Sequence, residues 1–274
     1  MRLWALLLLP FLAVGPALAE PLRFEGTVEA SQTAVLSSRL DGIVTDIRFA
    51  GGERVTADMP LILMDDADFK LAVATTEADV VRAEAVRALA ASEAERIEKL
   101  EERGIATDAQ RRAAAAGLRT AAADLDSAQV ALDRARLDLQ RIVIRAPIDG
   151  IIGRPNVALG AFLEAEAGAP LGEIVQIDPV LIAYQVPYSA RLATIRRTGA
   201  ESLEELFEDI SLTILLPDGQ SYPHRAEPGF ASPTVDTLNG TLTVWARVQN
   251  PDAVLRPGLS VTVISEVAGR KDQP

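Results

Sequence analysis

The phrase Asp-Gly followed by two β-branched residues occurs twice, in RLDGIVT at 39–45 and in APIDGIIG at 146–153, with the two Asp residues 108 positions apart. Between the copies lies text of another kind. Residues 67–141 contain no proline and are rich in Ala, Glu, Arg and Leu. Both copies sit in strand-like surroundings with frequent Val, Ile and Thr and recurrent Gly turns. The halves align beyond the phrase: Gly52 and Gly160 each stand eleven residues after the Asp, and the apolar Val55 and Leu163 each stand fourteen after it. Two similar β units that cannot bury both faces alone are expected to pack on each other as one small sandwich, 20–66 with 142–178. Asp-Gly is expected to supply a tight turn, with Gly at positive φ.

The insert must then begin and end at neighbouring points, which an antiparallel helix pair satisfies. Its second half carries a heptad, with Leu118, Leu125, Leu132 and Leu139 at one position and Ala114, Ala121, Ala128 and Ala135 at the other, continued by Ile142. Leu facing Ala predicts a narrow coiled-coil seam. In the first half, Leu71, Ala74, Ala78, Val81, Ala85 and Ala88 follow the same spacing and are the predicted partner seam. Gly104 is suited to a left-handed helix end, and Thr107 or Asp108 to an N-cap. Residues 67–141 therefore read as a hairpin projecting roughly 50 Å.

From 179 to 267 the text is again β-rich, with strong turns at Pro217-Asp218-Gly219 and Asn239-Gly240 and a short helix expected near Ser189–Arg196. This pattern suggests a compact β-barrel. Residues 268–274 read as a tail. At the other end, Arg2, an apolar run from Leu3 to Val14, then Gly15-Pro16 and Ala17-Leu18-Ala19 read as a secretory leader over 1–19, cleaved after Ala19. The mature chain is expected to be exported and soluble.

Composition removes several function classes. With no Cys there are no disulfides, thiolate metal sites, Cys nucleophiles or lipid-modified Cys. A single His, His224, excludes His-rich metal sites and a His-pair catalyst. A net charge of −12 argues against nucleic acid as a partner.

Three stretches carry a resemblance to a known family. They are LDGIVTDIRFAGGERVTADMPLILMDD, IRAPIDGIIG and NGTLTVWARVQNPDAVLRPGLSVTV, the last being the most specific. The chain resembles the periplasmic adaptor subunits, or membrane fusion proteins, of tripartite efflux pumps of the resistance-nodulation-division type. The resemblance covers nearly all of the mature chain. It implies a mostly β protein with a long α-helical hairpin: a lipoyl-like β-sandwich (barrel-sandwich hybrid) in two halves, an inserted antiparallel coiled-coil hairpin, and a C-terminal β-barrel. It also implies a non-enzymatic adaptor in the periplasm, peripheral to the inner membrane through its partner. That adaptor links an inner-membrane efflux transporter to an outer-membrane channel protein and self-associates into a ring. The family's tip carries an Arg, a Leu four residues later and a Ser seven after that, in contact with the channel; Arg96, Leu100 and Thr107 match them, Thr keeping the hydroxyl. Each also has an ordinary use, as a solvated helix residue, a seam residue and a cap.

The sequence departs from the family in two ways. Only about eight residues are expected between the cleavage site after Ala19 and the first sandwich strand, and about seven follow the barrel, so the family's membrane-proximal domain is expected to be absent or vestigial, and its lipid anchor absent. Docking to the transporter then falls to the barrel, or the protein pairs with a second, complete adaptor. Other readings are an adaptor for an ATP-driven exporter, a carrier, or a structural periplasmic coiled-coil protein without a transporter. A carrier needs a lysine on the turn between the sandwich halves. The helices replace that turn, and Lys70 falls in a first helical turn, so no cofactor is expected. Asp65, Asp66 and Asp68 suit a helix N-terminus, His224 an exposed or capping position, and Trp245 a barrel position with a partner for its indole N–H.

Overall fold

The computed structural model describes residues 22–199 and 202–267. The expected leader 1–19 and tail 268–274 lie outside the described residues. The chain divides into two units. One is Gln32–Gln176, and the other joins the chain before it to the chain from Ile177 onward.

The Gln32–Gln176 unit holds the sandwich and the hairpin. In chain order it takes the end of β1 (Leu22–Leu36), then β2 (Gly42–Ile47), β3 (Arg54–Val55), β4 (Pro60–Met64), α1 (Ala67–Glu102), α2 (Asp108–Arg141), β5 (Val143–Arg145), β6 (Gly150–Ile152), β7 (Phe162–Leu163) and the start of β8 (Gly172–Pro187). One sheet runs β5-β4-β2-β7, and β3, β6 and β8 form a second ladder.

The repeat works by exchange. The phrase strand of each half pairs with a short strand of the other. Gly42 faces Leu163 and Ile43 faces Phe162, while Gly150 faces Val55 and Ile151 faces Arg54. Gly52 N–H donates to the Ile152 carbonyl and Gly160 N–H to the Val44 carbonyl, both at 2.8 Å. The shared core is drawn from both halves, including Val44, Val55, Leu61, Ile62, Ile144, Ile152, Leu163 and Ile174.

The glycines do a different job from the one expected. Positive φ falls at Gly52 (88°) and Gly160 (81°) and not at the phrase glycines. Gly42 and Gly150 instead open β2 and β6. A Cβ on Gly150 would lie 2.6 Å from the Val175 carbonyl oxygen, so close backbone approach requires Gly there.

Helices α1 and α2, of 36 and 34 residues, form the hairpin arms. At 1.5 Å per residue the longer is about 54 Å. Register is tied by Arg136–Glu77 at 2.8 Å toward the base and Arg111–Glu101 at 3.2 Å toward the tip. The α2 seam lies where the heptad placed it, with Ala121, Leu125 and Leu132 buried and Ala114, Leu118, Ala128, Ala135 and Leu139 half-buried. The α1 seam does not. Leu71, Ala74, Ala78, Val81, Ala85 and Ala88 are all exposed, and the half-buried stripe is Phe69, Val73, Thr76, Val80, Ala83, Ala90, Ala94 and Ile97. Alanine recurs on every face of α1, so spacing alone does not fix which stripe turns inward.

The second unit is a barrel. After β8 come α3 (Tyr188–Thr198), α4 (Leu203–Glu208), β9 (Ile210–Leu215), β10 (Glu227–Ala231), β11 (Thr241–Val248) and β12 (Ser260–Val267). Strand order is β10-β11-β8-β1-β12-β9. Bridges Leu212–Ala226 and Leu215–Ser221 join β9 to the segment leading into β10, which closes the sheet on itself. Residues 22–31, expected in the sandwich, belong here, because Leu22–Thr27 pair with Ser260–Ser265 of β12. With 15 residues, β1 is more than twice the usual strand length, and its two ends fall in the two units without an intervening turn signal. The expected helix at 189–196 is α3; α4, opened by Ser202 accepting from Glu205 N–H at 3.1 Å, was not expected.

The NPDAVLRPGL text is a structural staple. Asn250 is fully buried. Its Nδ2 donates to the Ile177 and Leu255 carbonyls at 2.7 and 2.8 Å, and its Oδ1 accepts from Leu255 N–H and Tyr222 O–H at 3.0 and 3.1 Å. Its own N–H donates to Asp178 Oδ1 at 2.8 Å. Gly258 and Val28 then lock the loop to β1, Gly258 N–H donating to Val28 O at 2.8 Å and Val28 N–H to Leu259 O at 2.9 Å.

Candidate partner-binding site at the hairpin tip

The tip is built from two helix ends that satisfy their own backbones. At the close of α1, Gly104 takes φ 74° and its N–H donates to Glu101 O at 2.7 Å. Ile105 N–H donates to Leu100 O at 2.9 Å, completing a Schellman motif. A Cβ on Gly104 meets nothing within 4 Å, so the left-handed φ alone asks for glycine.

Helix α2 opens with a capping box. Thr107 is extended, its Oγ1 accepts from Gln110 N–H at 3.3 Å, and its own N–H donates to Gln110 Oε1 at 2.8 Å. Arg111 ties this helix start to α1, with Nη2 on Asp108 at 2.8 Å and Nε on Glu101 at 3.2 Å. The turn is therefore held from both sides.

The three sequence-matched residues all fall at this end of the hairpin. Leu100 is half-buried on α1 and its carbonyl accepts from both Ile105 and Ala106 N–H. Thr107 is exposed, with its hydroxyl engaged by Gln110. Arg96 lies one turn before Leu100 and grips Glu93 with two bonds, at 2.8 and 2.6 Å. That hydrogen bond holds the Glu93 carboxyl below its ordinary range and raises the Arg96 guanidinium. Arg111 is raised chiefly by its hydrogen bond to Asp108. These pairs are solvent-exposed, so they neutralise the tip more than they stabilise it.

Sequence reasoning passed over three participants: Glu93, Gln110 and Ile105. The Thr-x-x-Gln spacing was available as a capping-box signal. Ile105, one residue after the helix-ending Gly, is 70% exposed at the apex.

Elsewhere the ordinary uses prevail. Asp66 stands at the N-cap position of α1 without a side-chain capping bond and pairs instead with Lys70 at 2.7 Å, and Asp65 accepts from Ala67 N–H at 2.9 Å. His224, expected at an exposed or capping position, is instead half-buried beside the Tyr222 ring. Trp245 donates its indole N–H to Glu29 at 2.9 Å and stacks on Phe230.

A split sandwich that carries a helical hairpin, followed by a closed barrel with a helix pair, is the architecture of a membrane fusion protein. The family model described as RND MFP, barrel-sandwich hybrid domain, matches residues 32–178, and that described as RND MFPs, beta-barrel domain, matches 179–268. The chain belongs to the RND (resistance-nodulation-division) membrane fusion protein family. It is 29% identical over 243 residues to the efflux pump periplasmic linker BepD of Brucella suis biovar 1 (strain 1330), covering 87% of this chain and 61% of that one. It is 25% identical over 257 residues to the multidrug efflux pump subunit AcrA of Escherichia coli (strain K12), covering 92% and 65%. The chain thus spans less than two thirds of these relatives' lengths. Its fold is similar to that of the membrane fusion protein Spr0693 from Streptococcus pneumoniae R6, at TM-score 0.63 and 14% identity over 90% of this chain and 99% of that one. No helix among the described residues is long and apolar enough to cross a membrane.

Proposed function

We propose that this protein is a non-enzymatic periplasmic adaptor that links an inner-membrane efflux transporter to an outer-membrane channel protein in a tripartite pump. In this reading the leader 1–19 is removed on export, and the protein stays at the inner membrane through its partner. Arg96, Leu100 and Thr107 meet the channel. The observation that carries the proposal is the internally braced tip on an arm about 54 Å long, in a chain of this family. A rod with satisfied backbone ends transmits position without unfolding, and contacts repeated round an assembly gain strength by multivalency.

Self-association is part of the proposal. The outer stripe of α1 exposes Leu71, Val81 and Leu89, and that of α2 exposes Val130 and Leu137. The register set by Arg136–Glu77 and Arg111–Glu101 puts Val81 close to the level of Val130, and Leu89 close to that of Ala123. Apolar stripes at matching heights on the two arms favour side-by-side packing of successive copies.

Deleting the gene and returning it as Leu100→Asp tests the proposal. Export in cells is expected to be lost while the purified protein melts within a few degrees of the original. Full export by this variant would count against the tip as a contact.

A further inference from the structure

We infer that the barrel unit binds a short free monocarboxylate, of the formate or acetate class, on the Nε–Nη2 edge of Arg191. Such a site stands whether or not the chain is an adaptor.

Arg191 lies on α3 and is 4% exposed. An arginine this deep is ordinarily paired, because taking a charge out of water without a partner is costly. Among the described residues no carboxylate pairs with it, and its Nε and Nη2 are both buried without a hydrogen bond. The guanidinium lies over the Phe207 ring of α4, 4.7 Å from the centroid. An aromatic ring attracts the cation but accepts none of its in-plane N–H groups, so the edge still calls for an acceptor.

The same chain shows what that edge takes. At the hairpin, Arg96 offers the same two nitrogens to Glu93, and each finds its own carboxylate oxygen, Nε on Oε2 at 2.8 Å and Nη2 on Oε1 at 2.6 Å. A planar pair of oxygens fits this fork, and a single-atom anion such as chloride does not. Arg191 carries the identical fork away from water, where such bonds are stronger than on an exposed helix.

The surroundings set the ligand's size and charge. Tyr184, 3% exposed, is close enough for the Arg191 charge to act on its hydroxyl, and the Phe24 ring packs on Tyr184 at 5.8 Å between centroids. With Phe207, these groups make an aromatic neighbourhood. A second carboxylate there would be buried without a partner, which excludes di-acids and polyanions. An acidic side chain of another protein would have to carry its own backbone below the surface, so a small free ligand is the better fit. A buried cation left alone lowers stability, and a carboxylate that pairs with it only in the folded state raises stability by linkage.

Melting of the purified protein in sodium acetate, against sodium chloride at equal ionic strength and pH, reads this directly. Acetate is expected to raise Tm saturably by about 2–4 °C over chloride, and the acetate methyl resonance should broaden when protein is added. Arg191→Met, which keeps the volume, should lose both signals. Arg191→Lys, which keeps the charge without the fork, should weaken acetate binding about tenfold or more. If Arg191→Met melts early, Arg191→Lys decides. No difference between acetate and chloride, or an acetate effect undiminished in both Arg191 variants, would overturn the site. Succinate acting as strongly as acetate would overturn the assignment to a monocarboxylate.

Discussion

Asp41 and Asp149 each hold the opposite half of the sandwich by the same bond: Asp41 Oδ1 accepts from Ala165 N–H and Asp149 Oδ1 from Ala57 N–H, both at 2.8 Å. Ala57 lies sixteen residues after Asp41, and Ala165 sixteen after Asp149. The repeated phrase is thus a reciprocal clasp between halves that the hairpin separates in sequence.

Because the two bonds are equivalent, their loss should cost equally. Asp41→Ala and Asp149→Ala are each expected to destabilise by about 1–2 kcal/mol, as for an exposed charge-assisted bond to backbone. The two costs should agree within about 0.5 kcal/mol and nearly add in the double variant. Urea midpoints measure this, and a loss confined to one position contradicts the reciprocity.

Asn250 is the hub of the barrel's final loop. Asn250→Ala leaves the Ile177 and Leu255 carbonyls and the Leu255 N–H without their partner. A loss of about 3–4 kcal/mol is expected from a buried network broken at its centre. Thermal denaturation checks it.

Arg191 in α3 is 4% exposed. Its Nε and Nη2 find no acceptor among the described residues, and its guanidinium lies 4.7 Å from the Phe207 ring centroid. Burial lowers its pKa. A buried charge without an anion is replaced at little cost by an apolar chain of similar volume. Arg191→Met should therefore leave stability unchanged or raise it by about 1–2 kcal/mol, whereas Arg191→Ala, which leaves a cavity, should lower it. Melting temperatures of the two variants separate these outcomes.

Burial pushes the Tyr184 hydroxyl up to about 12, with the nearby Arg191 acting weakly in the other direction. In the unfolded chain the group titrates near 10. The unfolded state therefore loses the proton first, so the stability present below pH 10 drains away as pH rises toward 12. The loss is about 2–3 kcal/mol for a shift of this size. Urea unfolding between pH 9 and 11.5 should show the fall, and Tyr184→Phe should flatten it.

The hairpin seams make a paired test. Leu132, 8% exposed, should cost about 2–4 kcal/mol as Leu132→Ala. Val81, 65% exposed although placed in the predicted inward seam, should cost under about 0.5 kcal/mol as Val81→Ala.

Much of this architecture is legible in the sequence where chemistry is sharply spaced. The Asp-Gly phrases, the Leu heptad of α2 and the Gly104–Thr107 turn each mark a position that few other residues suit. Legibility fails where residues are permissive. Alanine on all sides of α1 carries no phase, so Leu71 and Val81 were turned to the wrong face. The strand β1 runs without punctuation from barrel to sandwich, and Gly42 and Gly150 open strands, Gly150 at a close backbone approach, where a turn was expected. Ile105 was invisible because exposure, unlike spacing, is a property of the folded tip.

The adaptor account is tested most directly by a photoreactive residue at Arg103, the exposed C-cap of α1, in intact cells. The account predicts one dominant adduct with an outer-membrane channel protein, lost in Leu100→Asp. A dominant adduct with no outer-membrane protein, from a normally exported and folded chain, would contradict it.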